Sequence, residues 1–286
     1  SSDLSNYSHV FQEFRPIVEQ SNEDRLYFLE EDRWIGYPAA NDLLDQLKGF
    51  LTLPKRSRMP NLLVLSKPNN GKTSIINQFF KLYGEGYVNA ENNAVKPVII
   101  VQAPVSPDEK ALYMAILDKF WVPFRERDPV AKLRYQVVHC LKLYEVKLLI
   151  IDEMNSLLCG SPIKQRTVMN AIKYLCNETQ IPIVGFGTEE AISVLRTDPQ
   201  HVSRFRVVNL PLWKLDKDFQ AMVNKFEKVL PLKQASKLAE PATVKYLHDI
   251  TDGNLGNLRT ILRDAAKKAV VSGQEFIDRS LLESVK

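Results

Sequence analysis

The sequence has few of the residues that build disulfide frameworks or metal clusters. Its 286 residues include three cysteines, which lie far apart, and four scattered histidines. No Cys-x-x-Cys pair is present, which argues against both a zinc site and a disulfide framework. The three cysteines are Cys140, Cys159 and Cys176, and the four histidines are His9, His139, His201 and His248. We therefore expect a reducing compartment and no metal cluster built from them.

Long hydrophobic runs are also missing. The longest apolar runs fall far short of the roughly 20 residues that a membrane-spanning helix needs. No signal peptide is visible. We therefore expect a cytoplasmic protein with no membrane partner. The formal net charge is +4, which permits nucleic-acid binding without requiring it.

Five short apolar segments predict the strands of one sheet. Each is rich in Val, Ile or Leu at consecutive positions, as in parallel strands that are buried on both faces. Helical segments separate the strands, which predicts βαβ units and a three-layer α/β fold with a parallel five-stranded sheet. The segments are Leu62–Leu65, Val98–Gln102, Leu148–Ile151, Ile181–Phe186 and Arg206–Leu210.

The pattern after Pro211 is wholly helical and predicts a small helical lid. We divide the chain into an N-terminal arm (1–30), an α/β core (31–211) and the lid (212–286). In the first half, Asn41 is the predicted N-cap of an amphipathic helix that Pro54 closes. The predicted helices are Val10–Glu19, Asn41–Leu53, Thr73–Leu82, Asp216–Val229, Pro241–Asp249, Gly256–Val271 and Phe276–Ser284.

A phosphate-binding loop follows the first strand. Residues 66–73 read S-K-P-N-N-G-K-T, close to the P-loop pattern G-x-x-x-x-G-K-[ST]. Ser66 replaces the first glycine, and as a short residue it can still make the turn. Asn69 and Asn70 tolerate unusual backbone angles, and Gly71 lets the backbone approach the phosphates. The alternative is a chance Gly-Lys-Thr in a turn.

The residues that open the next helix predict the ligands of Mg²⁺ and ATP. Backbone N–H groups at a helix N-terminus favour anions, which places Lys72, Thr73 and Ser74 around the phosphates. Lys72 reaches the outer phosphates, and the Thr73 hydroxyl ligates Mg²⁺.

Two carboxylates end the strand at 148–151. On a buried parallel strand, Asp152 and Glu153 emerge at the carboxyl edge of the sheet, where ligands bind. Asp152 would hold Mg²⁺ through its water shell, and Glu153 would orient and polarise the attacking water. The alternative is a strand that ends in a solvated turn, but the P-loop about 80 residues earlier argues against it.

Three further residues are candidates for contacts with the phosphates. Thr188 is the candidate γ-phosphate sensor, although it could simply be a helix N-cap. Arg204, preferred over Arg206, is the candidate arginine finger that completes a neighbour's site in a ring-forming ATPase. Arg259 could reach the phosphates from the lid, with Arg263 as its rival. Each arginine could instead be a surface cation.

The aromatic turn Arg33–Pro38 supplies candidates for the adenine site. An adenine ring needs an apolar slot that permits stacking, and Ile35 and Tyr37 are the candidates. The alternative is that these residues are core residues that pack the N-terminal arm.

The order of these motifs resembles AAA+ ATPases and, more narrowly, the TniB/TnsC family. The resemblance covers about residues 25–270, and its most specific part is the Trp-Ile-Gly-Tyr-Pro run. The segments that carry it are Arg33–Pro38, Pro54–Leu63, Asn69–Thr73, Leu148–Glu153 and Gly185–Glu189. The chain departs from the family at Ser66, and at Asn257, where some relatives carry a lid arginine.

The resemblance implies a bacterial, DNA-associated ATPase that regulates DNA transposition. Such proteins assemble with ATP and Mg²⁺ on double-stranded target DNA as rings or helical filaments. They connect a TniQ-type target selector to a DDE transposase. In the resembling family, the part of the ATPase domain after the second strand lines the DNA. The candidates there are Lys110, Arg125 and Arg127, with Lys164 and Arg166 as second choices, although any one of them could be part of a solvated helix face.

Two other functions compete with this interpretation. The same core motifs would serve a helicase- or clamp-loader-like ATPase that remodels a protein partner. A scaffold that binds ATP and hydrolyses it negligibly is the third hypothesis, and the intact Glu153 and Arg204 argue against it.

Overall fold

A computed structural model describes residues 6–286 and divides the chain into two compact units. The core unit comprises Pro38–Pro68 and Lys72–Pro211. The helical unit comprises the described residues up to Tyr37, together with Asn69–Gly71 and Leu212–Lys286. The boundaries 1–30, 31–211 and 212–286 stay a prediction.

The core unit contains the parallel five-stranded sheet, and the predicted α/β fold is confirmed. The strands are β1 (Asn61–Ser66), β2 (Tyr87–Val88), β3 (Ala94–Val95), β4 (Val98–Gln102), β5 (Leu148–Asp152), β6 (Ile183–Gly187) and β7 (Phe205–Leu210). The strand order of the five-stranded sheet is β4-β5-β6-β1-β7, and a separate two-stranded hairpin pairs β2 with β3. The three central strands, β5, β6 and β1, are buried along their whole length, as strands covered on both faces should be.

The α-helices occupy both units. In chain order they are α1 (Arg15–Val18), α2 (Asn22–Glu30), α3 (Pro38–Leu51), α4 (Lys72–Phe79), α5 (Glu109–Asp118), α6 (Val130–Leu143), α7 (Pro162–Thr179), α8 (Ile192–Leu195), α9 (Pro199–Val202), α10 (Lys217–Glu227), α11 (Pro241–Thr251), α12 (Leu255–Ser272) and α13 (Arg279–Glu283). Short 3₁₀ segments span Gln12–Phe14, Met154–Cys159 and Glu189–Ala191, and a π-helical turn spans Phe80–Gly84. No helix within residues 6–286 is both long enough and apolar enough to cross a membrane.

Two predictions about helices were wrong. The continuous helix Val10–Glu19 is a 3₁₀ turn followed by the single turn α1, because Pro16 lacks an N–H and its ring blocks the preceding turn. Asn41 is not an N-cap, since α3 already begins at Pro38. The fixed φ of proline suits the first turn of a helix. The last predicted helix is shorter than expected, because the side chain of Asp278 caps α13.

The strand register brings the motifs to one edge of the sheet. Leu65 of β1 lies beside Gly187 of β6, and Ile151 of β5 lies beside Gly185 of the same strand. The loops that follow β1, β5 and β6 therefore leave the sheet at the same carboxyl edge. The P-loop, the acidic pair and Thr188 follow these three strands.

Candidate nucleotide site

In the core unit, the P-loop ends where α4 begins, at Lys72. The side chain of Lys72 is buried, whereas Thr73 and Ser74 are exposed. The first N–H groups of a helix have no acceptor within it, and the helix dipole favours an anion there. The first turn of α4 therefore offers the donors and the lysine that a phosphate chain requires.

Ser66, which stands where the motif has glycine, ends β1 in a buried position. Its hydroxyl has no hydrogen-bond partner among the described residues. A buried polar atom without a partner is costly in a folded protein and calls for an explanation. A ligand bound in the P-loop would supply a hydrogen-bond partner for this hydroxyl.

The middle of the P-loop adopts the backbone conformation that its sequence predicts. Asn69 and Gly71 have φ angles of 57° and 94°, in a region that asparagine and glycine tolerate better than other residues. A Cβ on Gly71 would lie 3.5 Å from the Tyr37 hydroxyl oxygen. The loop therefore depends on these two residue types.

Hydrogen bonds within the helical unit join the middle of the P-loop to the first turn of α12. The N–H of Leu255 donates to Oδ1 of Asn70 over 3.1 Å. The amide Nδ2 of Asn69 donates to Oδ1 of Asn257 over 3.0 Å. Asn257 therefore contacts the loop itself.

The acidic pair turns sharply out of β5. Oδ1 of Asp152 accepts a hydrogen bond of 2.8 Å from the Glu153 N–H, and Glu153 has a φ of 56°. Burial raises the pKa of Asp152, and the charge of Glu153 raises it further. The hydrogen bond from the Glu153 N–H and the charge of Lys72 oppose this shift. The structure thus brings Lys72 and the predicted acids together.

Thr188 begins a loop that contacts Asn155 and the P-loop. Its backbone N–H donates to Oδ1 of Asn155 over 3.2 Å, and its hydroxyl donates to Glu190, which lowers the pKa of that carboxyl. Lys67 of the P-loop pairs with Glu189 across 3.2 Å. Thr188 also precedes a 3₁₀ segment, but its side chain makes no capping bond. Its role as a sensor stays a prediction.

Arg204 lies at the opposite edge of the sheet from the P-loop. It precedes β7, whose first residue, Phe205, pairs with Asn61 at the start of β1. Its Nη1 donates to Oδ1 of Asn177 over 2.7 Å. The rival Arg206 donates to Gln46. The structure therefore does not bring Arg204 to the phosphate loop of its own chain.

The adenine candidates lie in the helical unit and have different surroundings. Tyr37 is buried and contacts Trp213 edge-to-face, with 5.1 Å between ring centroids. Burial raises the pKa of Tyr37 to about 12. Ile35 instead lines a groove with Phe226 and Arg259. Tyr37 thus fits the core-aromatic alternative, while Ile35 keeps an accessible apolar face.

The two lid arginines form ion pairs within the helical unit. Nη2 of Arg259 lies 2.5 Å from Oδ1 of Asp32. Nη1 of Arg263 lies 3.9 Å from Oε2 of Glu30. Contact of either arginine with phosphate stays a prediction.

The candidate DNA contacts lie around α5 and α6. Lys110 is in the first turn of α5 and half-buried, whereas Arg125 and Arg127 are exposed in the loop before α6. Among the second choices, Lys164 lies in the first turn of α7, and the guanidinium of Arg166 donates to the Thr197 carbonyl over 2.8 and 3.1 Å. Arg125 and Arg127 therefore present the more accessible positive charges.

Sequence reasoning missed two residues that connect these motifs. Asn155 contacts the Glu153 carboxylate, and Lys67 contacts Glu189. The spacing of Asn155, two residues after the acid pair, was an available signal. Nothing in the sequence around Lys67 distinguishes it from a solvated lysine.

Comparison with known proteins gives a family and a fold. Residues 25–215 match the family model described as TniB, bacterial TniB protein. Cdc6p from Pyrobaculum aerophilum matches with a TM-score of 0.66 at 18% identity. The match covers 91% of this chain and 69% of the Cdc6p chain. ORC2 of Aeropyrum pernix, in ADPNP-ADP complexes, has a TM-score of 0.61 at 17% identity, with coverages of 90% and 71%. ORC1 of Aeropyrum pernix, in complex with DNA, has a TM-score of 0.62 at 16% identity, with coverages of 91% and 68%. No curated protein matches the sequence.

Proposed function

We propose a function from the premise that the chain belongs to the TniB family and is an ATPase of the AAA+ fold. It binds ATP with Mg²⁺, assembles on double-stranded DNA as a ring or helical filament, and regulates DNA transposition. In this role it links a TniQ-type target selector to a DDE transposase. ATP hydrolysis is the switch that loosens the assembly.

The residues around α4 fit a nucleotide with its metal. Mg²⁺ is usually bound by one or two protein oxygens together with substrate phosphates and water, and Thr73 and Asp152 supply such oxygens. Bound Mg²⁺ neutralises charge on the phosphates. Lys72 contacts the outer phosphates, and Glu153 orients the attacking water. The buried Ser66 hydroxyl, which has no partner among the described residues, supports an occupied loop.

The position of Arg204 relative to the sheet is the observation that supports the proposed assembly. The register pairs Asn61 with Phe205 and Ser66 with Leu210, so Arg204 lies six residue steps along the strand direction from the level of Ser66. At about 3.3 Å per residue this is roughly 20 Å, more than an arginine side chain spans. An Arg204 that acts on a phosphate must therefore act on a neighbouring chain, which requires an oligomer.

The DNA-binding step draws its support from the family and from exposed charge. Non-specific binding to duplex DNA requires Lys and Arg side chains that are free to face phosphates. Arg125 and Arg127 satisfy this requirement, and Lys110 is half-buried nearby in sequence. The same region is the one that the TniB/TnsC resemblance assigns to DNA.

Electron microscopy of the purified chain with duplex DNA tests the proposal. The samples contain ATP, a slowly hydrolysed ATP analogue or no nucleotide. We expect rings or filaments around DNA that need nucleotide and that are lost in Lys72→Ala. Nucleotide binding without assembly on DNA at any salt concentration would contradict the proposal. That result would favour a helicase- or clamp-loader-like ATPase that acts on a protein partner.

A further inference from the structure

Asn155 connects the proposed catalytic glutamate to the proposed sensor loop. It lies in the 3₁₀ segment Met154–Cys159, directly after the acid pair. Its Nδ2 donates to Oε2 of Glu153 over 3.3 Å. Its Oδ1 accepts from the Thr188 N–H over 3.2 Å. One amide thus spans the ends of β5 and β6.

The orientation of this amide is fixed by its two partners. The backbone N–H of Thr188 can only donate, so the amide oxygen must face it. The amide nitrogen then faces Glu153, whose ionised carboxylate can only accept. Both ends of the Asn155 side chain are therefore matched.

Neighbouring groups keep Asn155 in this place. The N–H of Ser156 donates to the Glu153 carbonyl over 2.8 Å, which closes the turn. A Cβ on Gly187 would lie 3.3 Å from Oδ1 of Asn155, and a Cβ on Gly185 would lie 3.0 Å from Cγ of Met154. The two glycines of β6 thus leave room for the 3₁₀ segment to pack against that strand.

The loop that Asn155 contacts is also tied to the P-loop. Glu189, next to Thr188, pairs with Lys67 across 3.2 Å. A displacement of the P-loop or of Thr188 can therefore change the position of the Asn155 amide. The Glu153 carboxylate is the other partner of that amide.

We infer that Asn155 is a positioning residue that aligns the Glu153 carboxylate for water activation and couples this alignment to the Thr188 loop. The inference rests on the proposed function, because it takes Glu153 as the residue that orients the water. Asn155 acts through Glu153 and touches no reacting atom. A small misplacement of such a group is costly, since catalysis depends on alignment.

The test is steady-state ATP hydrolysis by the full chain with Mg²⁺ and duplex DNA. Asn155→Ala should lower kcat roughly 10- to 100-fold, in the range seen when supporting residues of a site are lost. Its affinity for a fluorescent ATP analogue should stay within about twofold, because P-loop contacts are kept. Ser156→Ala, on the same 3₁₀ segment, is the matched control and should retain kcat.

Asn155→Asp gives a readout that a purely structural role would not change. It keeps an oxygen for the Thr188 N–H but sets a second carboxylate beside Glu153. Like charges disfavour joint ionisation, so the acid limb of the kcat profile should move to higher pH. Unfolding midpoints of both variants should match the parent chain.

Glu153→Gln separates failure of the inference from failure of the proposed function. Suppose that Glu153→Gln abolishes hydrolysis, but that Asn155→Ala keeps its kcat within twofold of the parent and Asn155→Asp leaves the pH profile unmoved. These results would overturn the role of Asn155 alone. Hydrolysis that survives Glu153→Gln would overturn the assignment of Glu153, and with it this inference.

Discussion

The backbone N–H of Gly256 donates a hydrogen bond of 2.9 Å to the carbonyl oxygen of Asn69. A Cβ on Gly256 would overlap the carbonyl and side chain of Asn69, so Gly256→Ala must separate α12 from the P-loop turn. We expect a cost of about 1–3 kcal/mol in stability and weaker ATP binding, measured by thermal unfolding and nucleotide titration. Gly49→Ala is the control, because it meets nothing within 4 Å and alanine favours a helix.

A buried ion pair holds the N-terminal helix α2 to the C-terminal part of the helical unit. Nη1 and Nη2 of Arg25 donate to the Glu275 carboxylate over 2.7 and 2.8 Å. Arg25→Met would leave that carboxylate buried and unpaired, at a cost of about 3–5 kcal/mol. Urea unfolding at neutral pH measures this cost. Lys267→Ala, which removes an exposed ion pair with Glu30, should cost far less, because solvent screens exposed charges.

The stability that Glu275 contributes should depend on pH. Burial alone would raise its pKa, but hydrogen bonds from Arg25 and the Lys233 N–H, with the charge of Arg25, hold the pKa below the usual 4.5. The contribution is therefore complete above pH 4.5 and is lost as pH falls through the lowered pKa. The difference in unfolding free energy between the parent and Arg25→Met should shrink over that range. A difference that stays constant with pH would contradict this assignment.

The centre of the sheet was predictable because β5, β6 and β1 are buried along their whole length. Runs such as Leu148–Ile151 can be nothing but buried, and two carboxylates directly after such a run must emerge at the sheet edge. The P-loop was predictable for a similar reason, since Asn69 and Gly71 suit a left-handed backbone. Local sequence therefore determined the elements and the phosphate loop.

Contacts between distant segments were not predictable from the sequence. Asn155 reaches Thr188 only because the order of β5 and β6 places their ends side by side. Asn257 contacts Asn69 across 188 positions of sequence. The error at Val10–Glu19 has a local cause, because Pro16 cannot lie inside a continuous helix.

The pKa of Asp152 makes the metal dependence of hydrolysis sensitive to pH. Burial raises this pKa, and Mg²⁺ binds the deprotonated carboxylate, so Mg²⁺ affinity should rise with pH through it. More Mg²⁺ should move the acid limb of the hydrolysis profile to lower pH. Isothermal titration across pH checks this, and an acid limb unmoved by Mg²⁺ would contradict it.

The exposed arginines before α6 should set the salt dependence of DNA binding. Arg125→Gln and Arg127→Gln each remove one proposed phosphate contact, so each should reduce the slope of log K against log salt by about 0.9. Fluorescence anisotropy with a labelled duplex, in the presence of ATP, measures the slope. Arg166→Gln is the matched control, because that guanidinium already bonds the Thr197 carbonyl. If the parent and all three variants gave equal slopes, the DNA would not contact Arg125 or Arg127.

Two inactive variants should restore activity when mixed, if Arg204 completes a neighbour's site. Arg204→Ala alone should bind ATP normally and lose about a thousand-fold in kcat, while Lys72→Ala should not bind ATP. In a mixed assembly, an intact phosphate loop on one chain can meet an intact Arg204 on the next, so hydrolysis should reappear and peak near equal proportions. Arg206→Ala, which removes the rival arginine, is the control and should stay active alone. Two results would contradict this prediction: full activity of Arg204→Ala alone, or mixtures whose ATPase activity never exceeds that of the separate variants. Either would show that each chain hydrolyses ATP without this arginine from its neighbour.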